Sequence, residues 1–261
     1  MAFIIKNSRG QSYNGVALVD DICPILFDGP NKNEILEYSK EDFKNLRMGL
    51  YNVSDECLKY SSDRKHSIFM GGDHLASFAT ILASLRKYGN KFKLIWLDAH
   101  TDIHSFDTSV SWNLHGMVVR LLMTHTIKNI PQLQSDQILY IGLRSIDDDE
   151  IKFIRSNNIN MITIEEWQNN KKLSFEKLGD FVIYNNVHIS LDVDVLDPTI
   201  MSSTGTPVEN GMSIEDITNI IYIIREYSSS HFATDIMEFN PQLGNFKVSF
   251  DTLKNIVAIL K

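Results

Sequence analysis

Three short segments of the chain combine acids and histidines in patterns that could bind metal ions. They are Gly71-Gly72-Asp73-His74, Asp98-Ala99-His100-Thr101-Asp102 and Asp192-Val193-Asp194. In an extended segment, side chains two positions apart share a face, which puts the acids and histidine of the second segment together and pairs the two acids of the third. Apart from Asp73, a candidate helix cap, the segments offer four carboxylates and two imidazoles as candidate ligands: His74, Asp98, His100, Asp102, Asp192 and Asp194.

The charges of these six groups favour two divalent cations. A buried carboxylate costs on the order of several kcal/mol unless it is protonated, paired or bound to metal, and the three segments contain no Arg or Lys. Four negative charges match two divalent ions, which carboxylates can bridge. A ligand set of carboxylates and imidazoles without thiolate suits Mn²⁺ better than structural Zn²⁺, while Fe²⁺, Co²⁺ and Ni²⁺ accept overlapping ligands.

Each segment taken alone also has a structural interpretation. Gly71-Gly72 could form a turn, with Asp73 capping the next helix and His74 merely nearby. An Asp-x-Asp pattern after a strand is often a loop cap. Alternating ionisable groups on a buried strand have few structural uses, so the coincidence of all three segments at predicted strand ends favours the metal site.

Alternating strands and helices would position these segments. Candidate strands are Phe3–Ile5, Ser67–Met70, Lys93–Leu97, Gln137–Ile141, Met161–Ile164, His188–Val193 and His231–Ile236. Candidate helices are Glu34–Gly49, Leu75–Tyr88, His115–Met123, Asp147–Asn157, Ser213–Glu226 and Val248–Leu260. The alternation predicts βαβ units and a parallel sheet covered by helices on both faces. Such sheets bind ligands at the carboxyl ends of their strands, where the acids lie.

Length and composition are consistent with one large α/β domain spanning 1–261, although 261 residues would also accommodate two smaller domains. A net charge of −8 argues against a nucleic-acid partner. No run approaches the roughly 20 apolar residues that cross a bilayer, and the amino-terminal apolar run is too short for a signal peptide. Cys23 and Cys57 form no C-x-x-C pattern, so we expect a reduced, cytoplasmic location and no membrane partner.

The three segments resemble, in residues and in order, the motifs of the ureohydrolase family of arginases, agmatinases and related amidinohydrolases. The resemblance extends from about Gly71 to Gly244. It implies a three-layer α/β sandwich with a central, mostly parallel eight-stranded sheet and a binuclear manganese centre. One ion would be bound by His74, Asp98, Asp102 and Asp192. The other would be bound by Asp98, His100, Asp192 and Asp194, so that Asp98 and Asp192 bridge.

Further segments resemble the arginase branch of this family. Ser111-Trp112-Asn113-Leu114-His115-Gly116-Met117 is similar to the loop S-G-N-L-H-G-M, in which the histidine, here His115, shuttles protons and Ser111 and Asn113 contact substrate. Asp235-Ile236-Met237-Glu238-Phe239-Asn240-Pro241 is similar to D-I-M-E-x-N-P, whose glutamate, here Glu238, holds the guanidinium. The resemblance therefore implies catalytic roles for His115, Glu238 and Asp102.

Two more segments imply substrate contacts. Gly142-Leu143-Arg144 followed by Asp147 and Glu150 resembles the segment whose two acids recognise an α-ammonium group. Thr204-Gly205-Thr206-Pro207-Val208 resembles the turn that lines the pocket, through Thr206. Without the resemblance, these acids could serve only a helix start and Thr206 only a turn.

Two features depart from the arginase pattern. The amino-terminal segment, Arg9-Gly10-Gln11 to Gly15-Val16, resembles the family's first loop only loosely. His104 stands where arginases usually carry an Asn that contacts the α-carboxylate, so it could donate to that group or mark a different substrate. We expect a hydrolase that uses two Mn²⁺ ions per chain to cleave the guanidino group of L-arginine to urea and L-ornithine. The alternatives are a hydrolase of another guanidino acid or of agmatine, a single-zinc deacylase of related fold, and a non-catalytic relative. The family also implies a homo-oligomer, a trimer or hexamer.

Overall fold

The computed structural model describes residues 2–4, 40–62 and 66–261. Its centre is a sheet whose paired strands are all parallel, in the order β1-β2-β7-β6-β3-β4-β5. The strands are β1 Ala2–Ile4, β2 Ser67–Met70, β3 Phe92–Leu97, β4 Ile138–Leu143, β5 Asn160–Thr163, β6 Asn186–Asp192 and β7 Ser230–Met237.

Eight α-helices in the described residues cover the two faces of this sheet. They are α1 Lys40–Ser61, α2 Ser77–Tyr88, α3 Val118–Thr124, α4 Asp148–Ser156, α5 Ile164–Asn169, α6 Lys171–Val182, α7 Ile214–Tyr227 and α8 Phe246–Leu260. Alternate residues of β3 point to opposite faces: Leu94 and Trp96 pack with α1 to α4, whereas Ile95 and Leu97 pack with α5 to α8. The molecule therefore has two apolar cores separated by the sheet, as the sequence predicted for a three-layer α/β fold.

The number of strands differs from the expectation. The resemblance implied eight strands, but the described part of the chain contributes seven. The sequence itself contains seven apolar runs of strand type, and each overlaps an observed strand. The eighth strand came from the resemblance alone, so that part of the prediction is corrected.

The helix predictions were wrong in two places. The predicted helix Glu34–Gly49 begins outside the described residues, and the observed α1 continues to Ser61 because Leu50, Val53 and Cys57 extend a buried helical face beyond Gly49. Helices α5 and α6 were not predicted, since Asn169 to Lys172 had the composition of a loop. A capping box at the start of α5, Thr163 with Glu166, was the signal that could have indicated them.

Within the described ranges, none of the helices combines the length and the apolar character needed to cross a membrane.

Candidate metal centre

The three segments meet at the carboxyl edge of the sheet. Strands β3 and β6 are neighbours, so Asp98, directly after β3, lies beside Asp192, the last residue of β6. Strand β2 ends at Met70, and the chain turns through two glycines into the short 3-10 helix His74–Ala76. Parallel pairing thus brings together groups that lie as much as 120 residues apart in the sequence.

His74 forms one half of the cluster with three carboxylates. Its Nδ1 atom lies 3.1 Å from Asp98 Oδ2, 3.2 Å from Asp102 Oδ2 and 3.2 Å from Asp192 Oδ2. This nitrogen is buried and has hydrogen-bond geometry to no described residue. A buried nitrogen surrounded by three carboxylate oxygens, but bonded to none, is the arrangement expected of ligands that converge on a cation.

His100 forms the other half. Its Nδ1 atom lies 3.2 Å from Asp194 Oδ2 and 3.5 Å from Asp98 Oδ1. Asp98 therefore presents one carboxylate oxygen to each half, as a bridging ligand must. The ligating atoms of His74, Asp98 and Asp102, and those of Asp98, His100 and Asp194, lie within 4.8 Å of one another in each group.

Neighbouring side chains fix the orientation of these groups. The ring of Trp96 stacks on that of His74, with centroids 4.1 Å apart, and Trp96 Nε1 donates to Asp98 Oδ2 at 3.0 Å. His74 Nε2 lies 2.9 Å from Ser190 Oγ, and the tautomer that donates to this hydroxyl directs the Nδ1 lone pair at the carboxylates. The sequence analysis missed Trp96 and Ser190. Each precedes an acid of the cluster by two positions on a strand, so the two-residue period could have indicated them.

The buried carboxylates of the cluster need positive charge nearby if they are to be ionised. Burial raises the pKa of Asp192 well above its usual range, and the carboxylates of Asp194 and Asp98 raise it further. Burial raises the pKa of Asp102 to about 7. Burial opposes protonation of His100, yet Asp194 and Asp98 outweigh it and raise the pKa of that imidazole to about 11.

No Lys or Arg of the described ranges forms an ion pair with the four carboxylates, whose ion pairs are all with His74 or His100. The donor set of carboxylates and imidazoles fits two divalent ions of the Mn²⁺, Fe²⁺, Co²⁺ or Ni²⁺ type. Cys57 is buried within the apolar core on α1, so it adds no thiolate to the cluster.

Glu238 lies at the edge of this cluster. Its Oε1 atom accepts a hydrogen bond from the His74 main-chain nitrogen at 2.7 Å, and its own nitrogen donates to Gly72 O at 2.8 Å. Burial raises the pKa of Glu238 to about 8, and the charge of Asp73 adds to this. Both Glu238, at φ 64°, and Asp102, at φ 47°, have left-handed backbone conformations, which are uncommon outside glycine and concentrate at functional sites.

The predicted substrate contacts His104, Asp147 and Glu150 form a third group beside the cluster. His104 Nε2 lies 3.1 Å from Asp147 Oδ2 and 3.4 Å from Glu150 Oε1, while His104 Nδ1 lies 3.1 Å from Thr108 Oγ1. Asp147 is exposed. Glu150 is buried, accepts hydrogen bonds from Thr101 Oγ1 at 2.5 Å and from the Asp147 nitrogen at 2.9 Å, and thereby also caps α4.

The other predicted residues lie in two loops. Ser111 and Asn113 are exposed in the loop that follows Asp102, and half-buried His115 lies in the 3-10 helix Leu114–Met117, which leads into α3. Thr206 is also exposed, and its Oγ1 atom donates to Asp194 Oδ2 at 3.1 Å. Thr206 therefore contacts a predicted metal ligand, a contact that the sequence did not predict.

Comparisons with known proteins agree with this geometry. A family model described as "Arginase family" matches residues 21–258. The arginase of Bacillus subtilis is 31% identical over 250 residues, which are 90% of this chain and 82% of that protein. The arginase of Glaciozyma antarctica is 34% identical over 209 residues, 74% of this chain but only 59% of that protein, so the match spans less than two thirds of that relative. The solved arginase of Bacillus caldovelox has the same fold, with a TM-score of 0.83 at 23% identity over 99% of this chain and 96% of that one.

Proposed function

Because this chain belongs to the arginase family, we propose that it is a hydrolase with two divalent metal ions, Mn²⁺ by preference, that releases urea from L-arginine. The observation that carries the proposal is the paired cluster in which Asp98 offers one oxygen to the His74 half and the other to the His100 half. The buried His74 Nδ1 atom, with three carboxylate oxygens around it and no hydrogen bond among the described residues, supports bound cations over a structural network.

The proposed ligands are divided between the two halves. His74, Asp98, Asp102 and Asp192 would hold one ion, and Asp98, His100, Asp192 and Asp194 the other. Bound ions would supply a water of lowered pKa and positive charge that stabilises the intermediate. The remaining steps belong to side chains of the chain itself.

Three side chains would handle the substrate and its protons. The Glu238 carboxylate, held beside the cluster by the His74 nitrogen, would orient the planar guanidinium through charge-assisted hydrogen bonds. Asp102, which faces His74 Nδ1, would accept a proton and return it to the leaving amine. His115, half-buried at the start of its 3-10 helix, would carry a second proton, from the water that reloads the site, to solvent.

The far end of the substrate would meet the residues around the mouth of the site. Asp147 is the exposed acid that would accept from an α-ammonium group, and the exposed Ser111 and Asn113 would donate to an α-carboxylate. Thr206 would act mainly through Asp194, whose carboxylate it contacts. Glu150 would support Asp147 and His104 from a buried position.

Agmatine is the second candidate substrate, and His104 favours it. Both ring nitrogens of His104 already have partners, Asp147 at Nε2 and Thr108 at Nδ1. Neither is then available to a substrate carboxylate, which arginine has and agmatine lacks. The ratio of kcat/KM for arginine to kcat/KM for agmatine therefore decides between the two substrates.

A substrate panel tests the proposed function. Purified protein loaded with Mn²⁺ is offered arginine, agmatine, 4-guanidinobutyrate and formiminoglutamate, and urea or formamide is measured. We expect urea and ornithine from arginine, and no product from Asp98→Asn, which removes the carboxylate shared by the two halves. Absence of turnover with all four compounds contradicts the proposal. The single catalytic domain spanning 1–261, the cytoplasmic location and the trimeric or hexameric assembly stay predictions.

A further inference from the structure

Arg144 lies where β4 leaves the sheet beside the metal cluster. Its main-chain nitrogen and that of Ser145 both donate to Ala99 O at 3.0 Å, and Ala99 separates Asp98 from His100. The preceding Gly142 has φ 98°, and a Cβ atom there would lie only 2.6 Å from Val195. The end of β4 thus contacts both loops that carry ligands of the His100 half, one at Ala99 and the other at Val195.

The guanidinium of Arg144 is half-buried and, among the described residues, donates only to main-chain carbonyl groups. The strongest bonds are from Nη2 to Asp194 O at 2.6 Å and to Val208 O at 2.8 Å, and Nε donates to Glu209 O at 3.1 Å. Longer bonds reach Gly142 O, Val195 O and Leu196 O. One side chain therefore ties together the end of β4, the turn at residues 194–196 and the turn at residues 208–209.

These two turns carry Asp194 and one donor to its carboxylate, while Ala99 N donates to the other oxygen, Oδ1, at 3.3 Å. Asp194 lies in the first turn, and Thr206, which donates to Asp194 Oδ2, lies just before the second. Neither turn belongs to a strand of the sheet: a bridge between Leu196 and Met212 holds the first, and the Arg144 guanidinium links it to the second. Because the acceptors are carbonyls spread around a plane, they match the five fixed N–H donors of a guanidinium and not the three of an ammonium group.

The His74 half is held differently. His74 contacts Ser190 and Trp96, which are residues of strands β6 and β3, and the Asp98 carboxylate accepts from Trp96 and from its own loop at His100 N. None of these contacts passes through Arg144. Loss of the guanidinium should therefore affect the two halves unequally.

From this asymmetry we propose that Arg144 is a positioning residue for the His100–Asp194 metal position. It holds the main chain at Asp194, and the turn that carries Thr206, so that the Asp194 carboxylate faces His100. This inference rests on the proposed binuclear site. It goes beyond that proposal because it gives Arg144, which donates to main-chain carbonyls, the role of positioning the ligands of one of the two ions.

The test is a titration of the full-length apoprotein with Mn²⁺, followed by calorimetry and electron paramagnetic resonance. Wild-type protein is expected to bind two ions per chain and to give the spectrum of a coupled pair. Arg144→Lys retains the charge but loses the planar donor set, and it should bind one ion with affinity within two-fold of wild type. The other ion should bind roughly 10- to 100-fold more weakly, the range typical when an outer partner of a metal ligand is lost. With one equivalent of Mn²⁺ added per chain, the spectrum of Arg144→Lys should be that of isolated Mn²⁺ ions.

Two further variants make the titration specific. Arg144→Gln has only two N–H donors, no charge and a carbonyl oxygen that would face other carbonyls, so it is expected to weaken the His100 position at least as much as Arg144→Lys does. Arg225→Lys is the matched control, since Arg225 also donates to a main-chain carbonyl, Leu260 O at 2.8 Å, but at the end of α8. It should bind both ions as wild type does.

The outcomes separate this inference from the proposed function. If wild type binds two ions and Arg144→Lys binds both with unchanged affinity, or loses both equally, the inference is overturned while the binuclear site stands. A variant that is unfolded by circular dichroism, and stays so with Mn²⁺, also overturns it, because Arg144 then serves the whole fold. Fewer than two ions on wild type overturns the proposed site and the inference together.

Discussion

Four carboxylates within reach of two imidazoles are unfavourable in a protein interior unless cations or protons neutralise them. At the present centre, His74 Nδ1 lies within 3.2 Å of three of these carboxylates and forms no hydrogen bond to the described residues. Trp96 and Ser190 hold the imidazole in this orientation. The side chains are thus arranged for a ligand, and the function follows from which ions and which substrate enter.

Glu238→Gln tests how the guanidinium is held. Glutamine keeps the oxygen that accepts from the His74 nitrogen but removes the negative charge, so the local structure should survive. We expect kcat/KM for arginine to fall by at least about 100-fold, a loss of roughly 3 kcal/mol, because a charge-assisted contact at the reacting group is lost. Urea release and metal content are measured together. Unchanged turnover, or loss of bound metal, would contradict the assigned role.

His104→Ala tests the mouth of the site. His104 holds Asp147, an otherwise exposed acid, through a hydrogen-bonded pair of a kind worth about 0.2–1 kcal/mol. We expect KM for arginine and agmatine to rise about 2- to 5-fold with kcat little changed, because both substrates carry an ammonium group. For 4-guanidinobutyrate, which has none, KM should stay within two-fold. Equal changes for all three compounds would show that His104 does not act through Asp147.

At the scale of the elements, parallel pairing of strands brings acids that are far apart in the sequence together in the metal cluster. β6 and β3 are adjacent, so acids that follow apolar strands arrive together at one edge of the sheet. The loops beyond that edge are not fixed by the strand ladders. Tight contacts fix them, such as the approach of Gly142 to Val195 and the bonds made by Arg144.

Gly142→Ala tests this close approach. The new Cβ would lie 2.6 Å from Val195 and 3.3 Å from Asp98 O, at a backbone angle of φ 98° that L-residues rarely adopt. We expect the free energy of unfolding to fall by about 2–4 kcal/mol, from backbone strain and overpacking together. Gly89→Ala is the matched control, since Gly89 also has positive φ but nothing within 4 Å of its Cβ position. Chemical denaturation measures both, and equal losses would mean that the contact with Val195 is unimportant.

The start of α7 gives a pH-dependent prediction. Burial raises the pKa of Asp216, but hydrogen bonds from Lys171, Trp167 and Ser213 outweigh it and lower the pKa to about 2, from 3.8. Because the folded pKa is the lower one, the resulting stabilisation is present above about pH 4 and is lost as the pH falls towards 2. We therefore expect wild type to exceed Asp216→Asn in stability by about 2 kcal/mol at pH 6 and to lose this advantage on acidification.

Denaturation of Asp216→Asn and wild type between pH 6 and 2.5 measures that difference. Glu215→Gln, which alters an exposed acid in the same helical turn, serves as control and should follow the wild-type profile. A difference between Asp216→Asn and wild type that does not narrow with falling pH would contradict the assigned cause.

Much of this architecture could be predicted from sequence, because short local patterns of residues indicate both the strands and the predicted ligands. Apolar runs ending in acids indicate both the strand and its functional end, as with Leu97 before Asp98. Helices α5 and α6 were missed because polar residues at 169–172 obscure the junction between a helix of 6 residues and the helix of 12 residues that follows it. The Arg144 contacts could not be predicted, since all the acceptors except Gly142 O are main-chain carbonyls 50 to 65 residues away and carbonyls carry no residue identity. The pairing of His104 with Asp147 likewise depends on the folded loops.

At the scale of the whole molecule, we expect bound metal ions to stabilise the fold. Because four carboxylates are gathered in one cluster of a chain with net charge −8, we expect the apoprotein to be less stable than the metal-bound form. Free Mn²⁺ at 100 times the Kd should add about 2.7 kcal/mol for each occupied position. For a domain of this size two positions then raise Tm by about 10 °C or more.

Differential scanning calorimetry with and without Mn²⁺ measures this rise, and a chelator should reverse it. Asp98→Asn, which alters the carboxylate shared by both halves, should lose most of the increase. An equal rise in Tm for Asp98→Asn would mean that the stabilising ions bind elsewhere.

The central claim is that two cations lie between the ligands at the edge of the sheet. Diffraction from crystals grown with Mn²⁺, recorded at the manganese absorption edge, locates such ions directly. We expect two anomalous peaks about 3.5–4 Å apart, one beside His74 and one beside His100, with Asp98 between them. A single peak, no peak, or peaks away from these residues would contradict the account.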